Sequence, residues 1–193
     1  MRNALRTIPR RNHSRTVVRN LRNKLQILII LTIFTNCNQK MTEIDKVLNL
    51  SNNADKIIAI GELIDNKIGN SNSLENLSDS EKTFLYVDIL EREVNNGGFS
   101  QFFYNSSGQY AHEIHDAYQK IGANKAADII NRAIKLFPTL PVPKNWETRQ
   151  DIVLEIDSDA KLWNELDNEF YKYEDNISDL MIKFVEQNKA DFE

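Results

Sequence analysis

The sequence from Asn95 to Gly108 reads NNGGFSQFFYNSSG and sets three Phe and one Tyr among amide side chains around two adjacent glycines. A glycine just past the last helical turn supplies the left-handed conformation that ends many helices, so these residues predict a tight corner between two helices. The aromatic rings would fill the corner, and the amides could bond backbone groups that helix ends leave unpaired. The predicted structural residues of this corner are Asn96, Gly97, Gly98, Phe99, Gln101, Phe102, Phe103, Tyr104 and Asn105.

The helix that leads into the corner is predicted to run from Ser78 or Ser80 to about Asn95. Glu81 follows Ser78 by three residues, which is the spacing of a capping box. The middle of this helix, residues 84–90, is apolar on nearly every side, so we expect it to be the most buried helix. A buried strand is the alternative for so short an apolar run, but the charged turns on either side favour a helix.

Apolar side chains recur at helical spacing through most of the remaining chain. Helices are predicted over residues 42–50, 53–68, 99–106, 109–121, 124–137, 146–156 and 158–173, and a last helix begins near 177. Gly and Pro are scarce, and strand-type alternation is hard to find. We therefore expect an all-α fold: a compact bundle of about seven or eight helices in a single domain over residues 53–193, preceded by a tether over 37–52.

Further motifs accompany the corner: an Ile-Gly-Ala step at residues 121–123, a Phe-Pro pair at 137–138 and an acidic, aromatic stretch at 166–171. Together with NGGF-x-QFFYNSSG-x-Y, they resemble the C-terminal domain family of the bacterial DNA-mimic protein numbered 19, over residues 75–192. The resemblance implies an all-helical fold and no known catalysis. The member that gives the family its name presents acidic side chains in a DNA-like array and occupies the DNA-binding surface of a transcription factor, whereas many relatives have no assigned role. The resemblance therefore transfers the fold better than the function.

The N-terminus has the pattern of an export signal. Residues 1–24 are basic, and a ten-residue apolar run, LQILIILTIF, follows from Leu25 to Phe34. A run this short does not comfortably span a bilayer, but it is typical of the core of a secretory signal peptide behind a basic region. We assign residues 1–36 to this signal segment.

Cys37 is the only cysteine and follows the apolar run directly. Its position resembles that of the acylated cysteine in bacterial lipoprotein signals, which predicts a lipid anchor at Cys37 and a membrane-anchored protein in the periplasm or on the cell surface. Asn36 and Phe34 depart from the residues usual in that signal. The alternatives are an uncleaved signal anchor, or translation from Met41, which would leave the domain in the cytoplasm.

The charge is distributed unevenly behind a net value of −4. Residues 1–36 hold eight basic and no acidic residues, whereas residues 37–193 hold 16 basic and 28 acidic residues, a net charge of −12. So acidic a body would be repelled by nucleic acid, and it favours a basic protein partner or simply confers solubility. The excess lies in residues 145–193, with 14 acidic and five basic residues.

The helix predicted after Ser158 would turn Leu162, Trp163, Leu166, Phe170 and Tyr173 inward and carry carboxylates on both flanks. Carboxylates one turn apart stand about 6 Å from each other, comparable to the phosphate spacing along one DNA strand. The predicted partner-binding residues are Asp157, Asp159, Glu165, Asp167, Glu169, Glu174, Asp175 and Asp179. They could mimic DNA, bind another basic partner such as a toxin that the chain would neutralise as an immunity protein or inhibitor, or simply form a solvated acidic surface with acids at helix N-termini.

The histidines offer the strongest alternative to a binding protein. His112, His115 and Asp116 would share one helix face and could bind a metal, but no fourth ligand or HExxH spacing accompanies them. No nucleophile elbow, P-loop or dinucleotide fingerprint is present. The sequence therefore predicts no enzyme, no cofactor and no metal, and the alternative is an enzyme or metal-binding protein whose site would gather His112, His115 and Asn105.

Overall fold

Eight α-helices and three short 3-10 turns make up the regular structure of the computed structural model, which describes residues 41–71 and 73–193. The helices are α1 (Glu43–Leu48), α2 (Asn53–Ile68), α3 (Asp79–Tyr104), α4 (Ala111–Ile121), α5 (Asn124–Ile134), α6 (Trp146–Ile156), α7 (Asn164–Phe170) and α8 (Ile177–Gln187). The described residues form no strand, and the predicted all-α fold is confirmed. The predicted signal segment and Cys37 lie outside the described residues. No helix within the described ranges has the length and apolarity needed to cross a bilayer.

Helix α3 is the central element, and α2, α4, α6, α7 and α8 all pack against it. It begins where the sequence predicts, because the Ser78 hydroxyl accepts a hydrogen bond from the Glu81 backbone N–H at 3.0 Å and the Glu81 carboxylate accepts one from Ser78 N at 2.8 Å. Phe84, Val87 and Leu90 in its middle are at most 1% exposed. Burial on nearly every side explains the continuous apolar run, and the alternative of a strand is wrong.

The packed unit begins at Thr42. Helix α1 packs on α2 with Ile44 buried, and the Asp45 carboxylate accepts a hydrogen bond from Lys189 Nζ at 2.6 Å near the other end of the chain. That ammonium and the capping box with Thr42 lower the pKa of Asp45 to about 2. The predicted domain boundary at residue 53 therefore falls inside the packed unit.

The single long helix predicted over residues 158–173 is wrong. The Asp157 carboxylate is buried and accepts from the backbone N–H groups of Lys161 and Leu162 at 2.6 and 2.7 Å, which holds this segment in a turn. Ala160, inside that turn, has φ +53°. Only the short α7 follows, with its predicted inward residues Trp163, Leu166 and Phe170 buried, whereas Leu162 and Tyr173 are about 40% exposed.

Candidate protein-binding surface

The corner is a kink inside α3. Gly97 (φ −163°, ψ 23°) and Gly98 (φ +73°, ψ −176°) leave the helical conformation, and the helix then resumes as far as Tyr104. The three Phe side chains that follow the glycines are fully buried, and the ring centroids of Phe103 and Trp163 are 5.0 Å apart. The aromatic residues therefore fill the corner as predicted.

Asp167 of α7 holds the kink in place. Its Oδ1 accepts a hydrogen bond from the Phe99 backbone N–H at 2.8 Å, so it caps the second half of α3. A Cβ added to Gly98 would lie 2.5 Å from Asp167 Oδ2, which means that only glycine allows this approach. Burial raises the pKa of the Asp167 carboxyl from its ordinary value, despite the stabilising bond from Phe99. This predicted partner-binding residue therefore has a structural role.

Arg149 of α6, which the sequence did not single out, closes the other side of the corner. Its side chain is fully buried, and its guanidinium donates to the carbonyl oxygens of Phe103, Asn105 and Pro143 at 2.8–2.9 Å. Gly108 leaves room for this guanidinium, since a Cβ at that position would lie 2.7 Å from Arg149 Nε. The sequence did contain one sign that Arg149 is buried: it lies four residues before Val153, on the apolar face of a predicted helix.

The amide nitrogens of Gln101 and Asn105 do not pair with orphan backbone groups as predicted. Gln101 Nε2 and Asn105 Nδ2 instead donate to Glu93 Oε2 at 3.1 and 2.9 Å, and the Ser107 hydroxyl donates to Glu93 Oε1 at 2.5 Å. The backbone carbonyl of Asn105 is satisfied by Arg149, which leaves its side chain free to turn toward the carboxylate. Sequence reasoning missed Glu93 because it lies eight or more residues away from these partners.

Glu169 of α7 and Glu174, which follows this helix, are paired with cations of α5. Glu169 forms a bidentate ion pair with Arg132, and Glu174 pairs with Lys125 at 2.8 Å. These cations lower the pKa of both carboxyls from their ordinary values. Exposed pairs contribute little to stability, but each one cancels the charge that a basic partner would recognise.

Of the remaining predicted partner-binding residues, Asp157 and Asp175 cap backbone N–H groups, and Asp179 contacts a side chain of α2. Asp175 accepts from the N–H groups of Lys125 and Ala126 at the start of α5, at 2.8 and 3.0 Å. Asp179 accepts from Asn53 Nδ2 of α2 at 2.6 Å, and Asp157 caps the turn before α7. Asp159 pairs with a lysine two residues away at 3.0 Å. Of the eight, Glu165 alone is exposed with no hydrogen bond or ion pair from its carboxylate to another described residue.

A row of unengaged carboxylates lies instead on α6. Glu147, Asp151 and Glu155 are exposed and four residues apart, so they share one helix face. Leu154 lies on the same outward face and is 56% exposed. None of the three carboxylates forms an ion pair or hydrogen bond with any other residue that the structure describes. The sequence located the acidic excess after residue 145. The predicted acidic rows, however, were placed on the helix over 158–173, which does not form.

The histidines have separate environments. His112 Nε2 accepts a hydrogen bond from the Val142 backbone N–H at 3.0 Å, and His115 Nδ1 lies 3.2 Å from Asp116 Oδ1. The described residues contain no group of three or more His, Cys, Asp or Glu side chains arranged to hold a metal ion. The cavity beside Asn105 contains neither histidine. The cluster predicted for an enzyme or metal site is not brought together here.

The kinked α3, its aromatic filling and its acidic cap lie within a region that matches a known protein family. The family model described as DMP19-like protein matches residues 75–188, more than half of the chain. The chain belongs to the DMP19-like protein family. The predicted family resemblance is confirmed. The matched residues include the corner and α6 and leave out α1 and α2. No curated protein and no solved structure matches the chain.

Proposed function

We propose that this DMP19-like chain is a non-enzymatic acidic module that binds a basic surface of a partner protein, and that the outward face of α6 makes the contact. The observation that carries the proposal is the row of three unengaged carboxylates, Glu147, Asp151 and Glu155, around the exposed Leu154. These carboxylates can pair with a partner's lysine or arginine without breaking any contact to the described residues. Leu154 supplies apolar area in the same patch.

The charge of the whole body supports the same class of partner. Residues 37–193 carry a net charge of −12, which accelerates encounters with a basic protein and opposes contact with nucleic acid. Charged rims contribute mainly specificity and association rate, whereas a buried apolar side chain at the centre contributes affinity. An exposed leucine between carboxylates therefore fits a protein partner better than it fits a solvated surface.

DNA mimicry is a finer form of this proposal. Successive carboxylates on α6 lie about 6 Å apart along the helix, which is comparable to phosphate spacing. Membership of the DMP19-like family is consistent with this form, and the partner would then be a DNA-binding protein. The second candidate is an immunity protein or inhibitor that neutralises a basic toxin, which the export-signal pattern of residues 1–36 favours.

The binding proposal can be tested by fluorescence anisotropy with a labelled arginine-rich peptide and with duplex DNA. We expect the protein to bind the peptide and not the DNA. The triple variant E147Q/D151N/E155Q should bind the peptide about tenfold more weakly, because three lost charge contacts of roughly 0.5 kcal/mol each sum to about 1.5 kcal/mol.

The matched control is E62Q/D65N/E186Q, which removes three exposed carboxylates from α2 and α8. It changes the net charge by the same amount, so it should weaken binding by about threefold or less. Equal losses in the two variants would mean that overall charge, and not the α6 face, attracts the peptide. Equal binding of peptide and DNA would contradict the function itself.

We further propose that Cys37 is acylated and anchors the chain to a membrane from the exported side. The basic residues 1–24, the apolar run Leu25–Phe34 and the position of the only cysteine support this proposal. Cells fed an alkyne-tagged fatty acid should label the protein, and the Cys37→Ala variant should lose the label. Labelling that persists in the variant, or a mature protein that begins at Met41, would contradict the anchor.

A further inference from the structure

The kink in α3 gathers polar side chains around one carboxylate. Glu93 lies before the glycines, Gln101 and Asn105 lie after them, and Ser107 lies in the turn that follows. All three donate to the two oxygens of Glu93, at 3.1, 2.9 and 2.5 Å. An uninterrupted straight helix would carry Asn105 about 18 Å from Glu93 along its axis, so the kink creates this cluster.

A cavity of about 630 Å³ opens at the cluster. Its volume lies in the range of sites that bind small molecules or single side chains. The residues that line it are Ile89, Arg92, Glu93, Asn96, Gln101, Asn105 and Ser107. All of these residues except Ile89 are polar or charged, and Ile89 supplies an apolar wall.

The cavity offers hydrogen-bond acceptors and lacks a paired cation. A carboxylate has about four acceptor positions, and Glu93 receives three hydrogen bonds from described residues. The Asn105 amide donates its Nδ2–H to Glu93, while its Oδ1 accepts from no described residue. Arg92 lies at the rim, but its guanidinium pairs with Asp88 at 3.1 Å. No described cation pairs with Glu93, so the site is open to a positively charged donor.

We propose that this cavity binds the guanidinium group of an arginine side chain from the basic partner. A guanidinium is planar and carries five N–H donors, so it can meet a carboxylate and neighbouring amide oxygens at once, whereas a lysine ammonium acts as a compact point charge. The aliphatic part of the arginine can pack on Ile89. This inference rests on the proposed function, because it names the group of the partner that is recognised.

The cavity adjoins the segment on which α6 is seated. Arg149 donates to the carbonyl of Asn105 at 2.8 Å, and Trp146 Nε1 donates to the carbonyl of Tyr104 at 3.1 Å. Asn105 therefore contributes its side chain to the cavity and its backbone to the α6 contact. One basic segment can reach both the cavity and the N-terminal end of the acidic row.

NMR titration of the intact protein tests the inference directly. We expect the side-chain NH₂ signals of Gln101 and Asn105 to shift on addition of the capped amino acid N-acetyl-arginine methylamide, and not on addition of its lysine counterpart. These signals report on the cavity without any substitution. Unchanged signals, or equal shifts with both compounds, would overturn the proposal.

Anisotropy adds a second measurement, with the arginine-rich peptide and a version in which lysine replaces every arginine. The parent protein should bind the arginine peptide at least about fivefold more tightly, and Glu93→Gln should remove this preference. Glu62→Gln, an exposed control on α2, should retain it. A preference that survives in Glu93→Gln would place arginine recognition elsewhere. The α6 triple variant leaves the cavity intact, so its loss of affinity tests the proposed function separately.

Discussion

Replacing the buried Arg149 with Met is expected to lower the free energy of unfolding by about 3–4 kcal/mol. The guanidinium satisfies carbonyl oxygens at the end of α3 and in the segment before α6, among them those of Phe103 and Pro143. Methionine fills much of the space but donates nothing, so several carbonyls would be left buried without a partner. Burial lowers the pKa of Arg149, yet a guanidinium remains charged at neutral pH, and its hydrogen bonds are the stronger for that charge.

Urea unfolding followed by circular dichroism measures this loss. Arg149→Lys should also destabilise the fold, because one ammonium cannot replace a fork that reaches three separate carbonyls. Arg92→Met is the matched control: the Arg92 side chain is 64% exposed, and its removal should change stability by about 0.5 kcal/mol or less. An unfolding midpoint of Arg149→Met close to that of the parent would show that the corner does not depend on this side chain.

The second large effect is expected at Gly98, where alanine should cost about 2–4 kcal/mol of unfolding free energy. Its φ of +73° with ψ near 180° belongs to a region occupied almost only by glycine, and the added Cβ would collide with the carboxylate of Asp167. Gly97 has an extended φ of −163° that any residue adopts, and the three atoms nearest to a Cβ there belong to the side chain of Gln101. Gly97→Ala should therefore cost less.

A double-mutant cycle separates the collision from the strain. Asp167→Ala alone should cost about 1–2 kcal/mol, because it leaves the Phe99 backbone N–H without its acceptor. Combined with Gly98→Ala, it also removes the group that the new Cβ strikes, so the total should be smaller than the sum. Additive costs in thermal or urea unfolding would show that the close approach of Asp167 is not what requires glycine.

Local patterns predicted those parts of the fold whose causes are local. The capping box at Ser78 and the apolar middle of α3 were readable because the interacting residues lie within one or two helical turns. The glycine pair at 97–98 identified the corner for the same reason. The structure has helix on both sides of this corner, as predicted, and the corner is a kink between the two halves of α3.

The remaining features depend on contacts between distant residues, which spacing cannot reveal. The buried Asp157 holds the start of the predicted helix over 158–173 in a turn, and Glu169 is neutralised by Arg132 of α5, 37 residues away. The eight predicted partner-binding acids are therefore mostly caps and ion pairs. Glu147, Asp151 and Glu155 were equally visible in the sequence, but only the structure distinguishes engaged from unengaged carboxylates.

The most direct test of the binding account is the salt dependence of the dissociation constant for the arginine-rich peptide, measured between about 50 and 300 mM salt for the parent and E147Q/D151N/E155Q. Salt should weaken binding to the parent strongly, because added salt shortens the Debye length, which is about 10 Å at 0.1 M, and so screens the attraction between exposed charges. The triple variant should bind more weakly at low salt and respond less to added salt. Binding to the parent that is insensitive to salt, or identical curves for the two proteins, would contradict a binding surface made of the free carboxylates of α6.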